Sequence, residues 1–111
     1  MSTLPTPIAE FQVGPIQVVV RYGCVRRDQY ELLTQSAFPR TLKPKLAELG
    51  QVRGTDVLYT VDVPATHQIT VAPERGRMVI MPRLSVERAE QRRSVLAFAD
   101  LLDNLTVAEY G

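Results

Sequence analysis

The chain has one cysteine, Cys24, one histidine, His67, and no tryptophan in 111 residues. A lone thiol forbids an intrachain disulfide and suits a reducing compartment. One imidazole and one thiol also fall short of the clustered ligands of a zinc site, and no cofactor is expected. Aromatic residues are sparse, with four Tyr and three Phe, so rings do not interleave with cations as they do where successive bases stack. Charge of one sign is lacking too: 13 Lys and Arg meet 12 Asp and Glu, for a formal +1. That balance argues against a strongly basic nucleic-acid binder and against an acidic mimic of DNA. There is no phosphate-cradling glycine loop of the GxGxxG kind. No apolar run approaches the ~20 residues that cross a bilayer. The first twenty residues, interrupted by Pro5, Pro7 and Pro15, lack the basic start and apolar stretch of a secretory signal. A cytoplasmic chain with no membrane contact is expected.

What is present suits a small globular domain. A hydrophobic share of 45% against 23% charged supplies one core at this length without staples. Residues 1–7 read as a flexible leader and 8–111 as a single domain. Residues 8–13 and 16–22 flank the turn signal Gly14-Pro15, and the second contains the β-branched run Val18-Val19-Val20, so the pair reads as a hairpin. From Asp28 to Ser36, Tyr30, Leu33 and Ala37 sit at helical spacing, predicting a short helix that Phe38-Pro39 ends. A second helix is expected over 42–49, with Thr41 as its cap, Pro44 in its first turn and Gly50 as its stop. Residues 55–63 alternate with period two, residues 67–72 run back with Ile69 and Val71 inward, and Met78-Val79-Ile80-Met81 reads as a strand buried on both faces. Pro82 limits that strand because it cannot donate to a ladder. Ser85 is a suitable N-cap for a helix over 86–105 that contains neither Gly nor Pro, with Glu87 and Glu90 in its first turns.

The inferred class is α+β, an antiparallel sheet of about five strands in the order β-β-α-α-β-β-β-α with helices packed on it. That order resembles the general plan of profilin-like folds such as longin and roadblock domains. The resemblance implies a five-stranded antiparallel sheet that carries helices and often pairs with a second copy.

The last helix holds a geometric conflict. At about 100° per residue, Val86 and Ala89 share one face, while Val95, Phe98, Leu102 and Leu105, widened by Leu96, Ala99 and Leu101, share a face roughly opposite. One straight helix cannot sink both halves into the same sheet. Either it bends near Arg92-Arg93-Ser94, or its second half buries against another chain. The second alternative makes Val95, Phe98, Leu101, Leu102 and Leu105 a candidate homodimer interface.

Two other constellations carry chemistry. Arg75, Arg77, Arg83, Arg88, Arg92 and Arg93 meet only Glu74, Glu87 and Glu90 over residues 73–93, a candidate contact for an anionic partner, whether phosphates or an acidic protein. Asp62 and His67 flank a tight turn, where a carboxylate raises the basicity of an imidazole within reach. A catalytic site needs a nucleophile, a base and an orienting group together, and this inventory does not supply them. The reading is a non-catalytic protein-protein interaction module, an adaptor or regulator, homodimeric through its C-terminal helix. The alternative is a nucleic-acid-binding regulator that uses the arginines.

Overall fold

The computed structural model describes residues 7–22, 28–64, 66–83 and 87–110. Within them the fold is α+β: seven antiparallel strands in one sheet, ordered β1-β2-β3-β7-β6-β5-β4, with one short and one long helix. The strands are β1 Pro7–Val13, β2 Ile16–Tyr22, β3 Asp28–Leu33, β4 Gln51–Gly54, β5 Tyr59–Val63, β6 His67–Ala72 and β7 Arg77–Pro82; the helices are α1 Leu42–Ala47 and α2 Arg88–Tyr110.

The N-terminal hairpin forms as its residues dictate. Gly14, at φ 57°, turns the chain so that Val13 pairs Ile16 across the two-residue turn Gly14-Pro15. Pro7, expected in the leader, opens β1; residues 1–6, Cys24, Ser85 and Val86 lie outside the described residues.

The expected helix over 28–36 is instead β3, paired with β2 on one side and β7 on the other. Tyr30 and Leu32 are fully buried on one face, a period-two pattern hidden in the sequence by apolar Leu33 on the opposite face. Helical spacing loses because β3 supplies the link that joins the hairpin to the rest of the sheet, so its backbone groups are satisfied on both sides. A further strand, β4, occupies residues 51–54, and residues 55–58 form a turn, so β5 starts at Tyr59. The sheet thus has seven strands where about five were expected, in a helix order with one helix, not two, between the halves.

The meander β5-β6-β7 followed by a helix matches the sequence expectation. Pro82 is tolerated in a central strand because it is the last residue there. It faces His67 of β6, while the register with β3 reaches only to Ile80. In α1, Leu42 and Leu46 are buried, but Leu49 lies past the helix end and is exposed. The amide of Gly50 donates to the carbonyl of Leu46 and closes the last turn.

Both helices contribute to a core on one face of the sheet. Leu42 and Leu46 from α1 and Val95, Phe98, Ala99 and Leu102 from α2 join Ile16, Val18, Val20, Tyr30, Leu32, Tyr59, Val61, Ile69, Val71, Met78 and Ile80 in a single cluster. Each fully buried Leu, Val or Phe contributes about 1.5–3 kcal/mol relative to exposure, so docking of α2 rests on this stripe.

Among the described residues α2 shows no break and one buried side. The helix is continuous through Arg92-Arg93-Ser94, and the Val95, Phe98, Leu102 side is the side facing its own sheet. Ala89 is exposed, and the core-facing position one turn earlier is filled by buried Gln91. An alanine leaves little apolar surface in water, so among the described residues this side of α2 carries no competing apolar stripe.

Candidate functional site

Directly paired residues of an antiparallel ladder share a face. Two sides of the sheet follow from the registers. One is the core described above. The other carries neither helix and is built from the alternate positions: Val19 and Arg21 of β2, Glu31 and Leu33 of β3, Arg77, Val79 and Met81 of β7, Gln68 and Thr70 of β6, and Thr60 and Asp62 of β5. One row crosses the whole sheet as Glu10, Val19, Glu31, Val79, Thr70, Thr60 and Arg53.

The centre of this open face is unusually enclosed. Val19 is 2% exposed and Glu31 4% exposed, although Val19 is no part of the core cluster. Glu31 Oε1 accepts a hydrogen bond from Arg21 Nε at 2.8 Å, and its Oε2 accepts one from Arg77 Nε at 3.4 Å. The three residues lie on adjacent strands, so the carboxylate joins β2, β3 and β7 in the diagonal geometry that cross-strand pairs use. Val19 stands between Glu10 and Glu31 in its row, while Leu33, Val79 and Met81 are half-buried around the group. Among the described residues the face holds Arg21, Arg53, Arg77 and, through its pair with Asp62, Arg83 against Glu10, Glu31 and Asp62, so its formal charges nearly cancel.

The expected sites fare differently. Val95, Phe98 and Leu102 are buried within their own subunit, and Leu101 and Leu105 are half-buried against the same core. These five residues therefore do not form a free stripe, and the argument for a partner chain on that face falls away. The arginines are dispersed. Arg75 is exposed on a single 3₁₀ turn, Pro73–Arg75, while Arg77 binds Glu31 on the open face. Arg83, beyond the other end of β7, is paired to Asp62, roughly 20 Å from Arg77 at the rise of a strand. Arg92 and Arg93 are exposed on α2, with Arg93 3.0 Å from Glu90. Arg88 opens that helix, its side chain outside the described residues.

Asp62 and His67 do not meet. Val63 pairs His67 and Asp62 pairs Gln68, which puts the carboxylate on the open face and the imidazole in the core. Counting in twos across a three-residue turn would have shown this, had the turn length been legible. His67 is 3% exposed and stands edge-on to Phe98, with ring centroids 5.8 Å apart. Burial, and secondarily the Arg83 charge, push its pKa below the ordinary value, and its Nε2 has no hydrogen-bond partner among the described residues.

A second concavity of about 650 Å³ lies where α1 meets the loops at one end of the sheet, walled by Phe38, Pro39, Pro44, Tyr59 and Pro73. Three of its polar groups, those of Lys43, Asp56 and Tyr59, are engaged with one another. Lys43 Nζ lies 2.7 Å from Asp56 and 5.4 Å from the centre of the Tyr59 ring. The hydrogen bond and charge of Lys43 hold the Asp56 carboxyl below its usual value. Burial, reinforced by Asp56, pushes the Tyr59 hydroxyl up to about 12. No helix among the described residues is long and apolar enough to cross a membrane. Comparison of the chain with protein-family models, curated proteins and solved structures finds no match in any of the three.

Proposed function

We propose that this chain is a non-catalytic, cytoplasmic protein-binding module, an adaptor or regulator, whose docking surface is the helix-free face of the sheet. The observation that carries the reading is the Arg21, Glu31, Arg77 group, held rigidly across three strands with Leu33, Val79 and Met81 half-buried beside it. Protein interfaces concentrate this combination of apolar area and arginine at their centres. Guanidinium groups already positioned by Glu31 lose less side-chain freedom on docking. The nearly balanced charges of the face fit a protein surface better than a polyanion, whose affinity comes from accumulated phosphate contacts.

The test is a comparative capture experiment from the native cell with the wild-type chain and Val79→Lys as baits. Val79 lies mid-face and outside the core, so the substitution adds charge to the surface and leaves the fold intact. Proteins retained by the wild type and lost with Val79→Lys are the expected outcome. Identical captured sets from the two baits would remove the open face from the proposal.

A further inference from the structure

The geometry points to a second interaction surface, the outer edge of β1, with a second copy of this chain as its occupant. Among the described residues the sheet has two edge strands, β1 and β4. Strand β4 has four residues, ends at Gly54 and exposes Arg53, features that blunt an edge against pairing. Strand β1 has seven residues. Its pairing with β2 is irregular between Pro7 and Ala9 and regular from Ala9 to Val13. The uninterrupted edge is therefore a five-residue stretch whose central residue is Phe11, a ring left 38% exposed.

The direction of the free backbone groups follows from the hairpin. Val13 and Ile16 flank a two-residue turn, which makes them a hydrogen-bonded pair, and alternation makes Phe11 another. The amides and carbonyls of Glu10 and Gln12 then point away from β2 and are available to another strand.

An antiparallel copy of β1 can meet this edge about a two-fold axis centred on Glu10, Phe11 or Gln12, the last pairing only residues 11–13 of the regular stretch. Centred on Glu10, it sets two carboxylates directly opposite each other, which is unfavourable. Centred on Phe11, it sets Glu10 opposite Gln12 on both sides of the axis and the two Phe11 rings opposite each other in a non-hydrogen-bonded pair, where side chains come closest. The second register uses the whole regular stretch, 9–13 against 13–9. Because the axis passes through the pair, the contact is self-complementary and closes at two copies. The joint sheet keeps the helices of both copies on one side and extends the open face on the other.

Sedimentation equilibrium of a Cys24→Ser chain tests this. The expected mass is twice 12.4 kDa. Phe11→Lys, which opposes two ammonium groups, and Gln12→Pro, which deletes an outward amide, each weaken association by about tenfold or more, with circular dichroism unchanged. In the same background Phe11→Cys oxidises to a disulfide-linked dimer, while Gln12→Cys, offset from its own copy along the strand, does not. A monomer at high concentration, a dimer that survives both edge substitutions, or preferential cross-linking through Gln12→Cys overturns the proposal. A monomer that still loses its captured proteins on Val79→Lys would sink edge pairing alone and leave the docking face standing.

Discussion

Glu31 sits on a sheet face that no helix covers and is still 4% exposed, so its substitution separates structure from surface decoration. Removing one partner of a buried, hydrogen-bonded charge group leaves the others uncompensated. Because the Arg77 side chain is 42% exposed, part of that penalty is screened by water. Glu31→Ala is expected to cost about 2 kcal/mol, read as a lower urea midpoint with an unchanged slope. A change within 0.5 kcal/mol would show that the group contributes nothing to the fold.

His67 gives the molecule a pH dependence at the same scale. Its folded pKa is lowered, chiefly by burial and then by Arg83, the charged neighbour that also pairs with Asp62. The unfolded chain therefore takes up the proton more readily. The stabilising contribution is present above the ordinary value of 6.5 and is lost as pH falls through it toward the lower folded value. Thermal melts from pH 7.5 to 5 should show a falling midpoint, with a flatter profile for His67→Leu. Parallel profiles for the two proteins would assign the acid sensitivity elsewhere.

At the scale of the elements, α2 offers the clearest contrast. Phe98→Ala and Leu102→Ala remove atoms from the shared core and should cost about 3–5 and 2–5 kcal/mol. Leu96 lies on the same helix but is 41% exposed, and Leu96→Ala should cost less than about 0.5 kcal/mol. Similar costs at all three positions would contradict the orientation of the helix. The β6-β7 connection has its own weak point. Gly76 has φ +61°, and a Cβ there would meet Thr34 Oγ1 at 2.5 Å and the Ser36 carbonyl at 2.6 Å. Its carbonyl also accepts the amide of Thr34, fixing the exit of β3. Gly76→Ala is expected to lose about 1–3 kcal/mol, measured by chemical denaturation.

At the scale of the whole molecule, one core cluster runs from Ile16 in β2 to Leu102 in α2 and contains both Tyr30 and Tyr59. A chain of this size with a single core unfolds in one cooperative step. Tyrosine fluorescence and far-ultraviolet circular dichroism should therefore trace the same urea transition. Separate midpoints would mean that the N-terminal hairpin and the β4 to β7 half are independent units.

Local pattern alone was enough for the first hairpin, the β5-β6-β7 meander, the limit Pro82 sets on its strand and a long terminal helix, though not for whether that helix runs unbroken. Each depends on neighbours in sequence: a Gly-Pro turn between β-branched runs, period-two alternation, a missing amide, a long stretch free of Gly and Pro. The state of residues 28–33 was decided elsewhere, because Tyr30, Leu33 and Ala37 fit a helix as well as Tyr30 and Leu32 fit a strand. Only β2 and β7, the latter more than forty residues away, make the strand the better solution. The Arg21, Glu31, Arg77 group was illegible for the same reason, since its members meet through three registers and not through spacing. The sequence determined which stretches alternate and where they must stop. Tertiary structure decided which strands are neighbours, and with that which charges meet and which apolar face of α2 is covered by its own sheet.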